Sequence, residues 1–287
     1  MWKFIGIRII LITLLPFLSV LSWGDEFCVK TSAELQNALT EAASNGEDDI
    51  IKVVRGTYIG NFVFDSYEGK SLSLLGGYSS SCTSRILDPA NTVLDGNFMG
   101  RVLFLNSASA GDLYIEGFKI RRGNTLGNGG GIYAASFFYG MVGDITITDN
   151  ILLDNTAAKG SGIYAFTSDE GDALKASIRD YTATSIVFPG IYRRTDEEIK
   201  IETNGTGDIL ISNNKIKHNN GEGIYAVTGG DLSGGFISIQ NNLIVKNSGR
   251  GIAALSFAGN INIDSNFISE NTSLTSGGGI YARSYLY

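Results

Sequence analysis

A chain of 287 residues with 37 glycines and only 3 prolines has material for one sizeable core interrupted by many tight turns, which excludes a collagen-like or disordered polymer. Its 29 acidic against 22 basic residues leave a net charge of −7, and this argues against nucleic acid as a partner, because phosphate contacts need clustered Lys and Arg. Cations or neutral glycans suit that balance better.

In chain order, Lys3 and Arg8 precede an apolar run from Ile9 to Val20, followed by small residues at Ser22 and Gly24. This pattern predicts a signal peptide over residues 1–24 and export of the remainder. The run is short for a bilayer span, and no later stretch reaches the necessary length, so no membrane span is expected in the mature chain. A secreted or cell-surface location follows. The only two cysteines, Cys28 and Cys82, then meet an oxidising compartment, where a disulfide between them is expected.

Residues 25–55 read as an N-terminal cap. From Ser32 to Ala43 the apolar positions Leu35, Ala38, Leu39, Ala42 and Ala43 fall at helical spacing, with Thr31 or Ser32 as N-cap and Asn45-Gly46 as a stop. A strand from Ile50 to Val54 follows. Such a cap protects the end of a stacked sheet from edge-to-edge association.

Residues 56–287 are dominated by a repeat. Asp144-Ile-Thr-Ile-Thr-Asp-Asn150 returns as Asp208-Ile-Leu-Ile-Ser-Asn-Asn214, Phe236-Ile-Ser-Ile-Gln-Asn-Asn242 and Asn260-Ile-Asn-Ile-Asp-Ser-Asn266. Five residues after each second aliphatic stands another aliphatic, and eight after it another asparagine: Asn155, Asn219, Asn247 and Asn271. Alternation with period two, broken by Gly or Asn, predicts short strands with inward aliphatics. One unit cannot bury its apolar face alone. Stacked units form a continuous core, so the fold class is an all-β parallel solenoid. The recurring asparagines are expected to turn corners in the left-handed backbone region and to form hydrogen-bonded ladders along the stack.

A second landmark follows each unit: Gly131-Ile-Tyr133, Gly162-Ile-Tyr164, Gly190-Ile-Tyr192, Gly223-Ile-Tyr225, Gly251-Ile-Ala253 and Gly279-Ile-Tyr281. The third places a degenerate coil in residues 166–207, with an inserted loop as the alternative. If the residues flanking each Tyr point inward, Tyr133, Tyr164, Tyr192, Tyr225 and Tyr281 line one exposed stripe. That stripe is the candidate binding site for a polysaccharide or cell-surface partner; packing of ring on ring is the competing reading.

Catalytic signals are weaker. Asp149 and Asp154 belong to one coil, but the equivalent positions in the next coils are Asn213 and His218, then Asn241 and Lys246, so carboxylates do not accumulate on a shared face. The single histidine, His218, reads as a solvated corner. Arg121-Arg122, and Arg193-Arg194 with Asp196-Glu197-Glu198, read as solvated charge clusters. No catalytic residue, metal site or cofactor is assigned.

The segments Ile51-Lys-Val-Val-Arg-Gly56-Thr-Tyr58, Leu72-Ser-Leu-Leu-Gly76-Gly77-Tyr78 and Thr92-Val-Leu-Asp95-Gly96, with Cys82, Arg85 and Asp88-Pro89, resemble the opening of secreted bacterial proteins with pectate-lyase-like repeats. The later Gly-Gly-Gly-Ile-Tyr and Asn-Asn units resemble the same group. The resemblance implies a single-stranded right-handed parallel β-helix with an N-terminal capping helix. It implies little about activity, since that superfamily mixes lyases, hydrolases, epimerases and adhesins. Its glycoside hydrolases rely on Gly-His-Gly and Arg-Ile-Lys segments that this chain lacks. A non-catalytic module is therefore expected, with a polysaccharide lyase or glycoside hydrolase acting through its variable loops as the alternative. The final Gly279-Ile-Tyr-Ala-Arg-Ser-Tyr-Leu-Tyr287 begins a further coil, which leads us to expect a chain truncated at its C-terminal end.

Overall fold

The computed structural model describes residues 24–138, 142–168, 207–229, 235–257, 259–274 and 277–285. An initial strand, β1 (Glu26–Val29), leads into α1 (Ser32–Ala42). Seven rungs of three strands follow. They comprise β2 (Asp49–Val54), β3 (Gly56–Ile59) and β4 (Phe62–Ser66), then β5 (Leu72–Tyr78), β6 (Thr92–Asp95) and β7 (Leu103–Ser107), then β8 (Leu113–Glu116), β9 (Lys119–Arg121) and β10 (Ile132–Phe137). The fourth and fifth are β11 (Ile145–Thr148), β12 (Ile151–Leu153) and β13 (Ile163–Ser168), and β14 (Ile209–Ser212), β15 (Lys215–Lys217) and β16 (Ile224–Gly229). The last two are β17 (Ile237–Gln240), β18 (Leu243–Val245) and β19 (Ile252–Phe257), and β20 (Ile261–Asp264), β21 (Phe267–Ser269) and β22 (Ile280–Tyr285).

Like strands of successive rungs pair in parallel, giving one sheet of eight strands, with β1 at its edge, and two of seven. The fold is a right-handed parallel β-helix. Ile147 pairs with Ile211, Ile211 with Ile239 and Ile239 with Ile263, so the repeated aliphatics form columns along the axis. The second sheet stacks Leu94, Ile120, Leu152, Ile216, Ile244 and Ile268 in the same way. Most are fully buried, and each Ile or Leu so placed contributes about 1.5–3 kcal/mol.

Helix α1 covers the first rung. Thr31 is its N-cap, with Oγ1 accepting from the Glu34 N–H at 3.2 Å, while the Lys30 N–H donates to the Glu34 carboxylate at 2.6 Å. Its buried face, Leu35, Ala38, Leu39 and Ala42, joins the main core. The helix ends before Asn45-Gly46, where Asn45 Oδ1 accepts from the Glu47 N–H and Gly46 takes φ 79°.

Two asparagine ladders run inside the corners on either side of the second sheet. Asn150 donates from its backbone N–H (3.0 Å) and from Nδ2 (3.3 Å) to Asn214 Oδ1, and Asn214 and Asn242 repeat this to Asn242 and Asn266. The second Nδ2 proton of each returns to a carbonyl of the preceding rung, as from Asn214 to Ile147 at 2.9 Å. Asn155, Asn219, Asn247 and Asn271 form the other ladder. In the third rung, where Phe118 and Gly123 replace asparagine, their backbone N–H groups close each ladder against Asn150 and Asn155.

The structure corrects one part of the sequence reading. The ladder asparagines do not adopt the left-handed backbone; the residue before each one does, namely Asp149, Asn213, Asn241 and Ser265 at one corner and Asp154, His218, Lys246 and Glu270 at the other, with φ between 53° and 57°. Asparagine stands at the next position because its amide must reach the four partners available inside the stack. The glycines that open four of the Gly-Ile landmarks also have a packing cause. A Cβ on Gly162 would lie 2.5 Å from the Gly223 carbonyl and 2.8 Å from Ile216 Cγ2, and Gly131, Gly223 and Gly251 meet the same obstruction.

A second correction concerns the degenerate coil. β13 pairs directly with β16, Tyr164 opposite Tyr225, and β11 with β14, so no rung separates the fourth from the fifth. Residues 169–206 are inserted between adjacent rungs, and Gly190-Ile-Tyr192, Arg193-Arg194 and Asp196-Glu197-Glu198 lie outside the described residues. The same is true of residues 1–23.

Candidate functional site

From the third rung onward the third strand is the longest of its rung, and its alternation turns Ile132, Ala134 and Ser136 inward and Tyr133, Ala135 and Phe137 outward. The inward hydroxyls fix the exit from this sheet: Thr167 Oγ1 donates to the Gly207 carbonyl at 2.8 Å and Thr228 Oγ1 lies 3.0 Å from the Gly235 carbonyl. The outward aromatics stack. Phe104 and Tyr133 have centroids 4.9 Å apart, Tyr133 and Tyr164 5.2 Å, and Tyr164 and Tyr225 5.5 Å, with interplanar angles of 14°, 9° and 4°.

This arrangement modifies the expected stripe. Tyr133 is only 6% exposed, and Tyr164, Tyr225 and Tyr281 are half-buried. Ring faces within the column are covered by the neighbouring rings, which leaves edges and hydroxyls as the outward chemistry. Tyr281 is separated from Tyr225 by Ala253, and Tyr192 lies outside the described residues.

Cations flank the column along the turns that lead into the third sheet. The Arg101 guanidinium sits 4.8 Å from the Tyr133 ring centroid, Lys159 Nζ 5.3 Å from that of Tyr225, and the Arg250 guanidinium 4.7 Å from that of Tyr281. Arg250 stands on the rung of Ala253, so its planar group borders the place a missing ring would take. Glu222 holds it at 3.5 Å. Burial, and then the Glu222 carboxylate, push the Tyr225 phenol above its ordinary range, so it stays a neutral hydroxyl.

Cys28 and Cys82 form a disulfide with a Cα–Cα distance of 5.9 Å, tying β1 to the excursion between β5 and β6. That excursion lies against the outer face of the first sheet, where Arg85 pairs with Glu116 and its Nε donates to the Gly76 carbonyl at 2.8 Å. Burial, reinforced by Glu116, pushes the Tyr114 phenol up to about 12.

Arg121 and Arg122, expected to form a solvated cluster, instead converge on Asp95, whose carboxylate is fully buried. Burial opposes its charge, but bonds from Arg122, from the Asn97 N–H and from Arg121 outweigh it and hold the Asp95 carboxyl below the usual range. The cluster pins a corner and presents no free acid or base. His218 is an exposed corner, as expected. Asp149 accepts from Thr148 Oγ1 at 2.8 Å, and Asp154 lies at the other corner. Among the described residues no group of three or more His, Cys, Asp or Glu side chains could hold a metal ion.

One column was missed from sequence. At the remaining corner Asp112, Asp144 and Asp208 each accept, through Oδ1, the backbone N–H of the next rung, at 2.7–2.8 Å. Asp48 does the same for Ser71. The signal was present, since Asp144 and Asp208 open the first two copies of the repeat.

Comparison with known proteins bears on the fold. The family described as right handed beta helix region matches residues 199–286. No curated protein matches the chain, and no solved structure does.

Proposed function

We propose that this chain is an exported, non-catalytic β-helix module that binds a glycan or other surface partner along the outer face of its third sheet. The observation that carries the reading is the tyrosine column flanked by Arg101, Lys159 and Arg250. Stacked rings set at rung spacing present a regular row of hydroxyls, and the cations beside them favour carboxylated or sulfated sugars over neutral ones. The net charge of −7 opposes a polyanion at long range. Screening confines that repulsion to about 8 Å at physiological ionic strength, so the local cations decide at contact.

Isothermal titration against polygalacturonate, a sulfated glycan and a neutral glucan tests this. Binding to an acidic glycan is expected, with affinity falling at least about tenfold in Lys159→Ala and in the Tyr164→Ala, Tyr225→Ala double variant. No binding to any glycan, or unchanged affinity in both variants, refutes the reading. Release of reducing ends or unsaturated uronates from the same panel would replace the module with an enzyme.

A further inference from the structure

The N-terminal strand ends beside a buried carboxylate. β1 pairs with β2 so that Glu26 lies opposite Ile50, and the Ile50 N–H donates to the Asp25 carbonyl at 3.0 Å, which brings Asp25 alongside Asp49. Asp49 is 3% exposed. Its Oδ1 accepts from Asn45 Nδ2 at 3.0 Å, whereas Oδ2 is buried without a hydrogen-bond partner. The residue lines an open cleft of about 430 Å³ together with Gly24, Glu26, Asp48, Ser71 and Ser73.

The surroundings favour a positive charge. Glu26 approaches from β1 and Asp25 from just before it, Glu47 and Asp48 from the turn ahead of β2, and Glu68 from the turn after β4, where it accepts from the Gly46 N–H. Lys52 is the cation nearby, and it is paired with Glu26 at 2.6 Å. Burial pushes the Asp49 carboxyl up, as do the charges of Asp25 and Glu47, against the Asn45 side chain and the Asp25 backbone N–H. Gly24 is confined as well, because a Cβ there would overlap the Asp48 carbonyl oxygen. With no set of three ligands for a metal among the described residues, a single ammonium fits better.

We propose that cleavage of the Gly24–Asp25 bond completes this site: the new α-ammonium of Asp25 forms a buried ion pair with Asp49 and locks β1 onto the solenoid. The hydrolysis, by a leader-removing protease, consumes one water. The C–N bond breaks, Gly24 departs with the new carboxylate, and the Asp25 nitrogen becomes an amine that takes a proton at neutral pH. Processing then stabilises the folded chain as well as freeing it. The idea is independent of what the third sheet binds.

The test uses a chain carrying a site-specific protease sequence immediately before Asp25, measured before and after cutting, in wild type and in Asp49→Asn. Cutting is expected to raise Tm at pH 6 by about 2–8 °C in wild type and to leave Asp49→Asn unchanged. The ordinary α-amino group titrates near about 7.7, and pairing raises this in the folded chain. The gain is therefore full below about 7.7 for as long as Asp49 stays ionised, and it is lost as pH rises through the raised value. Nitrogen-15 titration of the Asp25 amine reads that value directly and decides the matter if Asp49→Asn does not fold. An equal Tm before and after cutting, the same gain in Asp49→Asn, or an amine titrating at or below about 7.7 overturns the proposal.

Discussion

At the scale of residues, stability is concentrated in the buried amides. Asn242 is 2% exposed and bonds to Asn214, Asn266 and the Ile211 carbonyl. Replacing it with Ala strands donors and acceptors on both neighbouring rungs, at a cost of about 2–4 kcal/mol. Lys246→Ala, at an exposed corner, should stay within about 0.5 kcal/mol. Urea denaturation of the two variants checks this, and equal midpoints would deny the ladders their weight. The two asparagine registers were legible because a polar residue at fixed offsets has few bland explanations. Their backbone role was not, because left-handed tolerance and a side-chain ladder both select asparagine, and only coordinates place the positive φ one residue earlier. The Asp112–Asp144–Asp208 column escaped for a related reason: a carboxylate that accepts a backbone N–H looks, in sequence, like a solvated charge.

At the scale of elements, the N-terminal cap depends on fastenings between distant segments. β1 has only four residues and one sheet neighbour, and is held by its pairing with β2, by the Tyr58 hydroxyl lying 3.1 Å from the Val29 carbonyl, and by the disulfide. The bridge spans a sequence separation of 54, for which loop closure predicts about 4 kcal/mol. A Cys28→Ser, Cys82→Ser variant should lose stability of that order, seen as an earlier thermal transition; an unchanged transition would show that pairing alone secures the cap. Helix α1 and the alternating strands were readable from their periods. The inward Tyr58, whose phenol burial pushes up to about 12, was not, since a tyrosine among alternating residues fits either face until its hydroxyl finds the Val54 carbonyl at 2.7 Å.

At the scale of the whole molecule, the stack tolerates an interruption without losing register. Thr167 bonds to Gly207 across the insertion, as Thr228 does to Gly235 across the shorter connection in the next rung. Replacing residues 169–206 by a linker as short as residues 230–234 should therefore leave the β-rich circular dichroism spectrum and a cooperative transition intact. Loss of either would mean that the inserted segment supports the rungs on both sides. Gly190-Ile-Tyr192 misled the sequence reading because three residues reproduce a rung's signature without its asparagines or aliphatic columns. The rungs with both signals were placed correctly.

The corner positions ahead of the ladders carry a wider implication. Asp, Asn, Ser, His, Lys and Glu all occupy them with nearly the same backbone angle, while the amide behind each stays constant. Inner and outer chemistry are thereby uncoupled. Two lines of interchangeable side chains run along the solenoid at intervals of about 4.8 Å, and a lineage can rewrite them one at a time to suit a new neighbour while the interior goes on unchanged.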